Sequence, residues 1–84
     1  MGHEAKRQLN EKKFPNWKAL PDNCRKYWID ITGRHGWMAR YIKEVNEMDE
    51  TVRFYQEIYD DKGSLVEIHE KFPVDKGHIK AKEK

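Results

Sequence analysis

From Arg25 to Phe72 the chain alternates between apolar and polar residues, and the alternation breaks at Gly33–Gly36, Glu47–Glu50 and Asp61–Gly63. A two-residue period sends successive side chains to opposite faces of a strand. Four strands are therefore expected near residues 25–32, 37–46, 51–60 and 64–72. Breaks this short join only antiparallel neighbours, since a parallel pair needs a crossover of about a dozen residues or more. The expected fold is α+β and mainly β: a four-stranded antiparallel meander with a short N-terminal helical segment packed on one face.

The turns predict a register. Asp60-Asp61-Lys62-Gly63-Ser64 suits a type I turn followed by a left-handed glycine, which pairs Asp60 with Ser64, Ile58 with Val66, Gln56 with Ile68 and Phe54 with Glu70. Gly33-Arg34-His35-Gly36-Trp37 has the same form and pairs Ile31 with Ala39, Asp30 with Arg40 and Ile29 with Tyr41. A loop at Glu47–Glu50 pairs Val45 with Val52, Glu44 with Arg53 and Arg40 with Glu57. In this register one face collects most of the aliphatic and aromatic residues, among them Ile29, Tyr41, Phe54 and Ile68. On the other face Lys26 lies by Glu44, Glu44 by Arg53, Asp30 by Arg40 and Arg40 by Glu57, pairs of opposite sign worth about 0.2–1 kcal/mol each.

Ahead of the strands, residues 3–13 are good helix formers with almost no apolar stripe, which predicts a basic arm or weak helix over 1–13. FPNWKALPDN follows between Pro15 and Pro21, with Asn16 placed to cap one helical turn carrying Trp17 and Leu20. Leu9, Phe14, Trp17 and Leu20 are the expected lid for the apolar face. Residues 14–78 form the expected single sheet domain. Pro73 ends the last strand, Asp75-Lys76-Gly77 makes a turn, and 79–84 is a frayed tail.

Composition narrows the class. Of 84 residues, 17 are Lys or Arg and 15 are Asp or Glu, giving a net charge of +2, too weak to mark the whole chain as a nucleic-acid binder. The sheet region 27–71 is itself acidic, with ten carboxylates against six basic residues. Cys24 is the only cysteine, so no internal disulfide forms; it reads as a small buried residue at the start of the sheet, and the chain as cytoplasmic. The N-terminus has no signal-peptide core, Lys6 stands where a myristoylation motif wants Ser or Thr, and no apolar run reaches membrane-spanning length. No cofactor and no metal are expected.

The second face carries the candidate chemistry. Its expected rows are Trp28, Ile42, Tyr55, His69; then Asp30, Arg40, Glu57, Glu67; then Thr32, Met38, Tyr59, Leu65. Trp28, Met38, Ile42, Tyr55, Tyr59 and Leu65 make an aromatic and apolar strip suited to a homodimer or another protein partner. Arg40, Glu57, Glu67 and His69 are the catalytic candidates. A glutamate base, the His69 acid and the Arg40 charge would together suit metal-independent RNA cleavage. Nucleic acid is a further option, since aromatic residues on an open sheet stack bases, but the acidic balance does not favour it.

Residues 52–80 carry a tyrosine-rich strand, an acidic turn closed by glycine, a Leu-Val strand and a Pro/His tail, seen here as Tyr55, Tyr59, Gly63, Leu65, Val66, Pro73 and His78. In this the segment resembles TumE-type bacterial toxins and, more loosely, RelE-type toxins, whose N-terminal helices pack on an antiparallel sheet. The resemblance implies an RNA-directed toxin with a protein antitoxin. The departures are a tail with His78 alone, and Glu67-Ile68-His69-Glu70 where the family has an Arg-Tyr-Asp run. The favoured expectation is an interaction module working through self-association or a protein partner on the aromatic sheet face, with the toxin as alternative.

Overall fold

The computed structural model describes residues 2–74 and 77–80. Helix α1 (Gly2–Lys13) is followed by six strands: β1 (Asn16–Ala19), β2 (Arg25–Thr32), β3 (Met38–Val45), β4 (Thr51–Tyr59), β5 (Leu65–Phe72) and β6 (Gly77–Lys80). They form one antiparallel sheet in the order β1-β2-β3-β4-β5-β6, so every strand pairs with its sequence neighbours. The four expected strands are β2 to β5. The meander is longer than expected by a four-residue strand at each edge.

β1 replaces the expected helical turn. Asn16 caps nothing; it stands opposite Trp28, and its Nδ2 donates to the Trp28 carbonyl. The loop behind this strand shows why a hairpin won. Leu20 N–H donates to Cys24 O, and Cys24 N–H to Pro21 O, around Asp22 and Asn23 at φ of 63° and 62°. Two left-handed residues in succession make the turn that matches strand twist, and Asp and Asn are the side-chain-bearing residues that best tolerate it. The β2–β3 turn repeats the arrangement, with Gly33 N–H to Trp37 O, Trp37 N–H to Arg34 O, and His35 and Gly36 at φ of 57° and 80°. Here the expected loop length holds, but two residues rather than one are left-handed. The β4–β5 turn has the expected form, with Gly63 at φ 82° and the Asp60 carboxylate accepting from the backbone of Lys62 and Ser64.

The β2–β3 register is the expected one throughout. Between β3 and β4, Glu44 faces Arg53 and Arg40 faces Glu57 as expected, but a bulge pairs Val45 with Thr51 and leaves Val52 over. The consequential departure is in β5. Tyr59 pairs with Leu65, after which an irregularity skips Val66, so that Ile58 faces Glu67, Glu57 faces Ile68, Gln56 faces His69 and Tyr55 faces Glu70. A second irregularity skips Lys71 and pairs Phe54 with Phe72. One residue of slip inverts the faces of the strand: Glu67 and His69 join the face of Tyr41, and Ile68 leaves it. The reason is electrostatic. The slip separates Glu67 from Glu57, which like charge disfavours, and brings Glu70 to the Arg53 guanidinium.

α1 lies on the face of Tyr27, Ile29, Tyr41 and Phe54. Its stripe Arg7, Asn10, Glu11, continued by Phe14 just past the helix end, has helical spacing but is polar at three positions of four, so apolar periodicity does not reveal it. Phe14 packs on Tyr27 and Val45 in the core, with Ile29 and Phe54 against them. The rest of the expected lid does not close. Leu9 is 66% exposed, Leu20 is half-buried, and Trp17, 47% exposed, stacks on the Arg25 guanidinium at 3.7 Å. Cys24 is half-buried rather than buried. At the C-terminus, residues 79 and 80, expected to fray, pair within β6. Asp75 and Lys76 of the expected turn, residues 81–84 of the tail and the His78 side chain lie outside what is described.

Candidate functional site

The four catalytic candidates do not assemble. Arg40 and Glu57 are cross-strand neighbours on the second face, whereas Glu67 and His69 stand on the opposite face, beyond the Val66 bulge. Arg40 is committed to Asp30, donating from Nε to Oδ1 at 2.7 Å and from Nη2 to Oδ2 at 3.1 Å. Those bonds hold the guanidinium above its ordinary pKa, against the opposing effect of burial. Glu57 accepts from the Tyr59 hydroxyl at 2.6 Å. Burial first, and that hydrogen bond second, push the Tyr59 phenol up to about 12.

The six expected interface residues do share the second face: Trp28, Ile42 and Tyr55 in one row, Met38, Tyr59 and Leu65 in another. They do not form an open surface. Ile42 is 1% and Tyr55 5% exposed, and the other four are half-buried. Ile42 lines a small pocket of about 170 Å³ together with Lys18, Lys26, Trp28, Arg40 and Glu57. Beside it Arg53 stacks on the Tyr55 ring at 3.9 Å, pairs with Glu70 and reaches Glu44 at 3.8 Å. The Tyr55 hydroxyl donates to Glu44 at 3.3 Å, and burial, then the Glu44 charge, push it up to about 12. The face satisfies itself.

The helix face divides into two halves. Under α1, the Asp49 side chain is fully buried in the β3–β4 loop and gathers three donors. Tyr27 Oη donates to Oδ2 at 2.6 Å, Asn10 Nδ2 to Oδ2 at 3.1 Å and Arg7 Nε to Oδ1 at 3.1 Å. Burial raises the cost of this charge, but the hydrogen bonds from Tyr27, Asn10 and Arg7 outweigh it and hold the carboxyl below the usual range. Burial and the bond to Asp49 push the Tyr27 phenol up to about 12. The loop that presents Asp49 is itself organised by Asn46, whose Oδ1 accepts from the backbone of Met48 and Glu50.

Beyond the reach of α1, toward the β2–β3 and β4–β5 turns, the same face is uncovered. Ile31 is 48% and Trp37 41% exposed, beside half-buried Ala39 and Ile58. Trp37 precedes Met38 in extended conformation and so continues the helix face. The adjoining turns carry opposite charges, with exposed Arg34 on one and exposed Asp61 on the other. Sequence pattern marked these apolar residues as core, because it could not say how far along the sheet a twelve-residue helix would reach. No family model, curated protein or solved structure matches the chain. Among the described residues no helix is long and apolar enough to cross a membrane.

Proposed function

We propose that this protein is an interaction module that pairs with a second copy of itself through the uncovered half of its helix face, centred on Ile31 and Trp37. The observation that carries the reading is the exposure of these two residues, 48% and 41%, on a face whose other half is a packed core. Contiguous exposed apolar surface at a sheet face marks an interface. A twofold interface must be self-complementary, and the turns beside the patch offer charges of both signs, Arg34 and Asp61. In the proposed dimer Arg34 of one copy would pair with Asp61 of the other. The toxin alternative is not favoured, because Arg40 and Glu57 already have partners and lie on the face opposite Glu67 and His69.

Light scattering over a concentration series tests the reading. The expected result is a dimer whose fraction rises with concentration, and a monomer for Ile31→Lys with unchanged far-ultraviolet dichroism. A wild-type chain that stays monomeric at millimolar concentration, or an Ile31→Lys variant that still dimerises, overturns it.

A further inference from the structure

Between the C-terminal turn of α1 and the sheet lies an open cleft of about 270 Å³, lined by Lys13, Phe14, Lys43, Thr51, Phe54 and Phe72. A second cleft of about 400 Å³ continues along the helix and shares Lys43, Thr51 and Phe72 with the first. Three phenylalanines make an apolar floor, and ammonium groups stand around it. Lys13 Nζ is 5.9 Å from the Phe14 ring centre, and Lys71 Nζ is 5.7 Å from that of Phe54. Lys43 donates to Asn10 Oδ1 at 2.8 Å.

These lysines differ from the arginines that pack against the sheet. Arg7, Arg25, Arg40 and Arg53 are each paired with a carboxylate. Lys13, Lys43 and Lys71 have no carboxylate within ion-pair distance among the described residues. Lys13 and Lys43 are close enough to repel each other at this apolar cleft, whose own lining carries no carboxylate; Asp49 and Glu50 line the cleft that continues it. We propose that this cleft binds a small amphipathic carboxylate, with an alkyl or aryl body on Phe14, Phe54 and Phe72 and its carboxylate between Lys13 and Lys43. Burial and the Lys13 charge both push the Lys43 ammonium down from its ordinary value, against a smaller opposing effect of Asp49; a bound anion relieves that repulsion. The volume lies just under the usual range of ligand pockets, about 300–1,000 Å³, and a mostly apolar lining with a few convergent polar groups is their usual chemistry. This site is separate from the Ile31–Trp37 patch, so either proposal can fail alone.

Titration of the full chain with decanoate, decanol and acetate, followed by amide chemical shifts below the micellar range, tests the assignment. Decanoate is expected to bind saturably, with shifts confined to the end of α1, β3, β4 and the end of β5. Decanol, lacking the charge, and acetate, lacking the body, are expected to bind about tenfold or more weakly, and Lys43→Met and Lys13→Met each to weaken decanoate by about tenfold. Lys13 is exposed at the helix end, so its variant remains decisive if Lys43→Met does not fold. Equal affinity for decanoate and decanol, unchanged affinity in the folded variants, no saturable binding, or shifts centred on Ile31 and Trp37 would each overturn the proposal.

Discussion

Replacing Asp49 by asparagine tests what holds the helix to the sheet. Asparagine matches aspartate in size and tolerates the left-handed conformation at φ 58°, so the change removes charge and little else. Three donors converge on the native carboxylate. With the amide oxygen at the Oδ2 position, neutral bonds from Tyr27 and Asn10 survive, but the amide nitrogen then confronts Arg7. One charge-assisted bond, worth about 1.5–3 kcal/mol, is lost and two others weaken. The expected loss is about 3 kcal/mol, against a total of roughly 4–13 kcal/mol for a chain of this length. In urea the midpoint should fall by roughly 1–3 M with an unchanged slope. The pH dependence supplies the sharper check. A carboxyl whose native pKa is depressed contributes stability above its unfolded value, about 3.9, and loses it as pH falls through the native value. The difference between wild type and Asp49→Asn should therefore be constant above about pH 5 and shrink in acid. A loss under about 0.5 kcal/mol at neutral pH, or a difference undiminished at about pH 2, would refute the reasoning.

Other outcomes follow from the same physics. Tyr27→Phe should cost about 1–2 kcal/mol at neutral pH. Because the native phenol is raised to about 12, that cost is fully present below about pH 10, the unfolded value, and fades between there and the native value, as alkaline unfolding curves of both proteins will show. Gly36→Ala should destabilise more than Gly63→Ala. Both sit at left-handed φ, but a Cβ at Gly36 would lie 3.1 Å from Asp61 Cβ, whereas Gly63 faces open space; strain alone is about 1 kcal/mol or more, and thermal melts of the pair isolate the contact. Arg53→Met should cost about 2–3 kcal/mol, since it takes away the guanidinium that pairs with Glu44 and Glu70 on the second face, and Glu70→Gln should recover part of the loss in a double-mutant cycle.

Strand positions were legible because alternation and turn residues agreed from Arg25 to Phe72. Register within a strand was legible only where turn chemistry controlled it. The β4–β5 turn set Tyr59 against Leu65, and seven residues later the bulges had carried Phe54 to Phe72 instead. A conflict was visible in the expected register, where Glu57 stands directly against Glu67. Following that conflict would have moved β5 by one residue, given Arg53 to Glu70 and dispersed the catalytic cluster. β1 was hidden because two prolines bracket it, yet Asp22-Asn23 was a hairpin signal in plain view. The docking stripe of α1 stayed invisible for a different reason: Arg7 and Asn10 attach by hydrogen bonds to a carboxylate 42 and 39 residues away, which no local pattern encodes.

Those separations bear on the order of folding. A meander in which each strand meets its sequence neighbours forms from local contacts, and local contacts form fast. The attachment of α1 to Asp49 is the exception: closing a loop of about 40 residues costs entropy that grows as the logarithm of its length, and it is repaid only when Asp49, Asn10, Arg7 and Tyr27 are all in place. The sheet should therefore zip hairpin by hairpin, with Glu11 and Phe14 meeting β2, before Arg7 and Asn10 reach Asp49. Mutations in the Asp49 network should then leave the folding rate nearly untouched and appear as faster unfolding.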